Sequence, residues 1–185
     1  VLSKLEQEYL LRCNTSSDIN EHMPVLHEYA KKCDVIAEFG VRSVVSTFAF
    51  AFARPKKLLC VDINCYPEIS PFLELCKEEN IDAEFHQGHT LTYELPFDVD
   101  LLFIDTLHTY AQLSSELKRH HDRVLKYLIF HDTTIYGHSD EIQSSQSPQG
   151  LIPAIEELLK DSPQWQIDRV YENNNGLTIL KRDIR

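Results

Sequence analysis

The sequence predicts one doubly wound α/β domain, and three observations carry that reading. Short β-rich runs alternate with longer amphipathic stretches along the 185 residues. The runs are apolar at successive positions rather than at every second one, as in parallel strands buried on both faces. Several of them stop at a glycine or an aspartate, at Gly40, Asp62, Asp105 and His131-Asp132. Strand–helix alternation of this kind indicates a mostly parallel sheet with helices on both sides.

The elements follow in order. Leu2 to Arg12 reads as a helix, and Asp18 as the cap of a second helix running through Tyr29. Val35 to Phe39 is the first strand, and Ser43 to Ala53 the helix after it. Lys57 to Ile63, Pro67 to Glu79 and Ala83 to His86 form the next strand, helix and weaker strand. Val99 to Ile104, the helical stretch Tyr110 to Leu125, and Tyr127 to Phe130 follow. Gly137 to Gly150 is polar, rich in Ser and Gln, and reads as a loop or lid. Pro153 then sits in the first turn of a helix ending near Lys160. Two last strands, Gln166 to Tyr171 and Leu177 to Lys181, flank a turn at Glu172 to Gly176, where Asn175-Gly176 favours a hairpin. The expected organisation is a single domain over 1–185, with a helical cover (1–33) on a core (34–185). Because the chain opens on Val, it is expected to be a module of a longer protein.

Composition narrows the function. There are 29 acidic side chains against 18 basic ones, a formal net charge of −11. That disfavours nucleic acid, whose phosphates need clustered Lys and Arg, and an anionic membrane. No apolar run is long enough to insert in a bilayer. The acceptable partner is a polar small molecule, a glycan or a protein. The five cysteines are odd in number and include no CxxC pair, which supports neither zinc nor a disulfide framework. Cys60, inside an apolar run, reads as buried packing, and the expected compartment is reducing and intracellular.

Four motifs carry chemistry. In Glu38-Phe39-Gly40-Val41-Arg42-Ser43, Gly40 lets backbone approach a ligand without a Cβ in the way. The N–H groups of a helix beginning near Ser43 would suit a carboxylate, and Glu38 could oppose an ammonium, so the motif suits an amino-acid moiety. Asp62, about 20 residues on, ends the second strand where a carboxylate can accept both ribose hydroxyls of a nucleoside. Phe103 to Tyr110 places Asp105 and His108 at the carboxyl edge of a central strand, and Phe130 to Thr134 places His131 and Asp132 on the next. Two carboxylates near an imidazole suit a hard divalent cation such as Mg²⁺, which could lower the pKa of a bound hydroxyl. Equally, His108 or His131 could take a proton directly. His120-His121 reads as solvated, and His22 as part of a cover over the pocket or as plain surface.

Ile36 to Ser43 resembles the first motif of class I S-adenosylmethionine (SAM)-dependent methyltransferases. Phe103 to Tyr110 with Phe130 to Thr134 resembles, more narrowly, the cephalosporin hydroxylase-like and metal-dependent sugar and macrolide O-methyltransferases. The resemblance spans Asp18 to Leu180. It implies a Rossmann-like, seven-stranded sheet with the last strand antiparallel. It places Glu38, Gly40, Arg42, Ser43 and Ser46 at the methionine moiety and Asp62 with Ile63 at the ribose. Gln87, Gly88 and His89 fall at the adenine, and Asp105 with Thr106 beside the cofactor. Asp105, His131 and Asp132 fall on the Mg²⁺ positions, with His131 where the family has an acid. Val44 stands where glycine is common, and His89 where an acid is usual. The chain is also similar to methyltransferase modules fused to glycosyltransferases in large algal viruses, which cap sugars such as rhamnose; that implies glycosyltransferase domains in the same polypeptide and a host-cytoplasmic location.

The expected function is methyl transfer from SAM to a hydroxyl, most simply of a sugar, with Asp105, His108, His131 and Asp132 catalytic. Two rivals stand beside it. An NAD-dependent oxidoreductase lacks support because Arg42 and Val45 replace the second and third glycines of G-x-G-x-x-G. A non-catalytic SAM- or nucleoside-binding module would keep Glu38, Gly40 and Asp62 but would not need Asp105 and Asp132.

Overall fold

The computed structural model describes residues 2–142 and 149–183. Seven strands, β1 (Val35–Phe39), β2 (Lys57–Asp62), β3 (Ala83–Gln87), β4 (Val99–Ile104), β5 (Val124–His131), β6 (Trp165–Tyr171) and β7 (Leu177–Arg182), form one sheet. Their order is β3-β2-β1-β4-β5-β7-β6. β7 alone runs antiparallel, inserted between β5 and β6. The chain winds outward from β1 to β3, then restarts beside β1 with β4. A crevice therefore opens at the carboxyl ends of β1 and β4, the place where open α/β sheets bind ligands.

Alternate residues of each strand enter two separate cores, which is why the strands read as continuous apolar runs. Ile36, Leu58, Leu101, Phe103 and Ile129 face one layer, with α1 (Lys4–Asn14), α2 (Met23–Ala30), α3 (Ser46–Phe52) and α4 (Ile69–Glu78). Ala37, Leu59, Leu102, Leu128 and Leu180 face the other, with α5 (Tyr110–His120) and α6 (Leu151–Asp161). The five cysteines are all free, and Cys60 is buried.

Three boundaries depart from the sequence reading. The helix expected from Ser43 begins at Ser46, because residues 41–45 form a turn closed by Val44 N–H donating to Val41 O at 3.0 Å. α5 stops at His120, and a 3₁₀ turn at His121–Arg123 leads directly into a longer β5. Asp18 caps nothing. A 3₁₀ turn at Asn20–His22 starts the second helix without a side-chain cap, and the Asp18 carboxylate pairs with Arg42 at 3.4 Å instead. Residues 143–148 of the expected loop or lid lie outside the described residues.

The N-terminal segment is clasped to the β6–β7 turn. The Asn174 side chain donates to Ser17 O (2.8 Å) and accepts from Glu21 N–H (3.0 Å). His22, 1% exposed, contacts Asn173 O through Nε2 at 3.0 Å and lies edge-on to His131. Asn174 and Asn175 have φ of 46° and 69° and Gly176 has 98°, the left-handed run that Asn and Gly tolerate.

Asn174→Gly keeps that backbone and removes the two side-chain hydrogen bonds. It should lower stability by about 1–3 kcal/mol in urea unfolding and speed hydrogen exchange at the Glu21 amide. Unchanged exchange at Glu21 would show that the clasp contributes nothing.

Candidate active site

A cavity of about 430 Å³ occupies the crevice at the carboxyl ends of β1, β2 and β4. Its wall begins with the loop after β1. A Cβ on Gly40, at φ 84°, would lie 1.9 Å from Asp105 O, so only glycine lets β1 and β4 close at this point. The loop is then gripped from β2: Val41 and Arg42 N–H donate to Asp62 Oδ2 at 2.8 and 3.0 Å. Asn64 N–H donates to Asp62 Oδ1 at 2.9 Å. Three of the roughly four acceptor positions of that carboxylate are thus used.

Strain is held in the same loop. Arg42 and Val44 have φ of 44° and 60°, and for a β-branched residue that region is costly. Val44 is fully buried in the helical layer that includes α1, and its carbonyl accepts from Arg12 Nε at 3.1 Å. Packing of the N-terminal cover therefore holds the conformation that a glycine would adopt freely.

The residues expected at the site divide into two groups. Gly40, Arg42, Ser43, Ser46, Asp62, Ile63, His89, Asp105, Thr106, His108 and Asp132 all line the cavity. Glu38, Gln87, Gly88 and His131 stand behind the wall. Glu38 is fully buried, accepts from Ser46 Oγ at 2.5 Å, and lies 3.9 Å from the Cys60 thiol. Burial pushes its carboxyl up to about 8, so near neutral pH it is mostly protonated and offers little charge to an ammonium. Gln87 Nε2 donates to Ile63 O (3.2 Å) and Gly88 N–H to Asp62 O (2.8 Å), bracing the end of β2.

The far end of the cavity holds a charged cluster. His108 Nε2 lies 3.0 Å from Asp105 Oδ1 and 2.9 Å from Asp132 Oδ2, while Nδ1 lies 2.9 Å from Glu141 Oε2. Its ring stacks on Tyr136 at 5.0 Å and 7°. Burial alone would lower the His108 pKa, but the carboxylates of Asp105 and Asp132 outweigh it and raise it. The same two histidines, 108 and 131, hold Asp132 well below the usual carboxylate range against the opposing effect of burial. Asp132 also has positive φ, 59°.

Asp105, His131 and Asp132 each present one ligand atom within 4.8 Å of the others. His131 Nε2 faces two carbonyl oxygens, Asp18 O at 3.1 Å and Asn174 O at 3.2 Å, and therefore carries hydrogen. Nδ1 lies 3.4 Å from Asp105 Oδ1 and 3.5 Å from Asp132 Oδ2, and these carboxylates raise the His131 pKa against the effect of burial. Neither Nδ1 nor Asp132 Oδ1 makes a hydrogen bond among the described residues, so a cation here would displace the Nδ1 proton. Two carboxylates and an imidazole nitrogen, two of these atoms buried and unsatisfied, are a donor set that fits a divalent cation.

Sequence reasoning missed a third cluster. Glu116 of α5 is fully buried and accepts from Thr90 Oγ1 (2.5 Å), Thr106 Oγ1 (2.9 Å) and Gln112 Nε2 (2.8 Å). Burial raises its pKa despite these donors. His120, expected to be solvated, is 1% exposed and donates from Nε2 to Thr90 O at 3.0 Å. A buried acid in the middle of a polar helix gave no signal in sequence. Glu141 was missed because the loop containing it reads only as polar, and Tyr136 because it lies between that loop and the motif ending at Thr134.

No protein-family model matches the chain, and no curated protein matches its sequence. Solved structures match its fold. A Staphylococcus aureus protein assigned as a caffeoyl-CoA O-methyltransferase superposes with a TM-score of 0.70 at 15% identity, covering 98% of this chain and 93% of that one. N-methyltransferase NodS from Bradyrhizobium japonicum, in complex with S-adenosylhomocysteine (SAH), gives 0.65 at 15% identity, with 96% of each chain covered. An SAH-bound methyltransferase from Podospora anserina gives 0.61 at 13%, covering 98% and 88%. The architecture is thus the Rossmann-like methyltransferase fold.

Two outcomes test this geometry. Gly40→Ala should separate the β1 and β4 ends and abolish ligand binding in the cavity by calorimetry; retained binding would show that the approach is not needed. Glu38 ordinarily titrates at 4.5 and does so near 8 when folded, so the folded chain keeps a proton that the unfolded chain releases. The stability contributed by this group is complete below about pH 4.5 and is lost as pH rises toward 8, at up to about 1.4 kcal/mol per pH unit. Glu38→Gln should flatten that slope in thermal melts from pH 5 to 8.5, and an unchanged slope would refute the assignment.

Proposed function

We propose that the chain is a SAM-dependent O-methyltransferase whose acceptor is a small polar molecule, a sugar hydroxyl. One observation carries the reading: a single cavity joins a nucleoside-type wall to a proton-handling cluster. Gly40, Asp62 and the exposed apolar side chains Ile63 and Leu107 form the first, and Asp105, His108 and Asp132 the second. The volume suits a cofactor-sized ligand. The inserted antiparallel β7 departs from the 3-2-1-4-5-6 order of dinucleotide folds, which weighs against NAD. A mere binding module would have no use for two acids and two histidines converging beside the pocket.

SAM supplies an electrophilic methyl group on a sulfonium. The chain contributes alignment, which is worth several orders of magnitude in rate when the reacting atoms are held near contact. Asp105, His131 and Asp132 would hold a Mg²⁺, whose charge lowers the pKa of a hydroxyl. His108, with Nδ1–H on Glu141 and Nε2–H on Asp105 and Asp132, is held protonated by these acids; it would orient the two carboxylates, which are the groups able to receive the acceptor's proton. The acidic surface suits an uncharged sugar better than a phosphorylated one. Attachment to glycosyltransferase domains and a cytoplasmic site of action belong to the same proposal; no helix among the described residues is long and apolar enough to cross a membrane.

Calorimetric titration with SAM, SAH and NAD in parallel tests the cofactor. Binding of the first two alone is expected; binding of NAD alone overturns the proposal. Asp105→Asn should leave SAM affinity within about threefold and lower SAH production on a sugar panel by at least about 10²-fold. Full turnover in the variant sinks the catalytic assignment. EDTA should suppress turnover and Mg²⁺ restore it, and full activity in EDTA would leave the acid–histidine cluster acting without a metal.

A further inference from the structure

Gln112 is 8% exposed and lies on the cavity wall. Its Nε2 donates to Glu116 Oε1 at 2.8 Å and to Thr90 Oγ1 at 3.1 Å. The hydrogens around it fix which way the amide points. The single Thr90 hydroxyl proton goes to Glu116 Oε1, 2.5 Å away, so Thr90 can only accept from Gln112. Glu116 Oε1 is an acceptor when the acid is ionised, and equally when its proton sits on Oε2, 3.0 Å from Thr106 Oγ1. Both acceptors therefore face the NH₂ group, and a flipped amide would set oxygen against oxygen. The remaining Oε1 of Gln112 has no donor among the described residues and is left to the cavity.

This part of the wall is also rigid. Thr90 is 3% exposed, and its carbonyl is held by His120. Thr109 caps α5 by accepting from Gln112 N–H at 3.2 Å. The Gln112–Thr90 contact sets the amide beside Thr90, and Gln112, His89 and Thr90 line the same cavity as Asp62 and Ile63. A nucleoside whose ribose lies at Asp62 would direct its base there.

We propose that Gln112 is the specificity residue for the ligand's base, its Oε1 accepting a hydrogen bond from the exocyclic amine of an adenine. The inference rests on the SAM reading and adds to it. The buried Glu116–Thr90–Thr106 cluster acts as a positioning device that keeps the amide in the orientation able to accept. A base carrying a carbonyl at the same position meets oxygen with oxygen and leaves the Gln112 acceptor unpaired, the kind of mismatch that binding sites reject most strongly.

The test compares SAH with S-inosylhomocysteine, in which a carbonyl replaces the adenine amine, by calorimetry on the whole chain. The wild type is expected to bind SAH at least about tenfold more tightly. Gln112→Met, close in length but without the acceptor, should weaken SAH about tenfold, leave S-inosylhomocysteine unchanged and bring the ratio near one. Gln112→Asn, which withdraws the oxygen without removing polarity, should reduce the ratio partway and serves if the Met variant does not fold. Equal affinities in the wild type overturn the inference while leaving the cofactor reading intact. A preference that survives undiminished in both variants overturns it as well, assigning the discrimination elsewhere. Binding of neither ligand overturns the SAM reading, and the inference with it.

Discussion

The approach of Gly40 to the Asp105 carbonyl is the constraint on which the site depends. It joins the two halves of the sheet where the winding reverses: Asp105 N–H donates to Phe39 O at 2.8 Å, and Gly40 N–H to Val61 O at 2.9 Å. Through it the loop after β1 and the acids after β4 and β5 come to share one cavity. Any side chain at position 40 would push apart the two walls that a ligand must touch together. Asp62 then fixes the loop by accepting two of its amides, so the nucleoside wall is organised by the same carboxylate expected to contact the ribose.

The charged cluster follows a second constraint, the cost of burying ions without partners. Asp105 and Asp132 come together at the ends of adjacent strands, and His108 and His131 answer them from two sides. Neither imidazole is free to turn. Tyr136 and Glu141 hold His108, and the carbonyls of Asp18 and Asn174 hold His131. The two histidines meet the acids at different range: His108 Nε2 lies 3.0 and 2.9 Å from them, and His131 Nδ1 3.4 and 3.5 Å.

Most of the fold was legible because burial on both faces leaves continuous apolar runs, and the strand ends at Phe39, Asp62 and Ile104 needed no tertiary information. The site was legible where its residues follow a strand directly, as Gly40, Asp62, Asp105 and Asp132 do. Legibility failed where a neighbour distant in sequence decides the outcome. Glu38 sits in the expected place, but Ser46 and Cys60 close over it. His120 looks exposed in a polar helix, yet its ring meets Phe39 edge-on at 4.9 Å and lies under Thr90. The turn at residues 41–45 defeats helix periodicity because Asp62, 20 residues away, draws its amides outward. Such residues are recognisable only once the sheet order is known.

The N-terminal cover shows how packing far from the chemistry reaches the site. Arg12 of α1 bonds the carbonyl of Val44, and Asp18 and Ile19 line the cavity. The Asp18 carbonyl also helps fix the His131 tautomer from outside the sheet. Removing this segment would therefore do more than open a wall. Val44 would lose burial that offsets its left-handed backbone, and His131 would lose one of the two carbonyls that its Nε2 meets. A cover with these contacts is part of the site's construction, and the geometry of the Gly40 loop and of the metal-type cluster is maintained from the same side of the molecule.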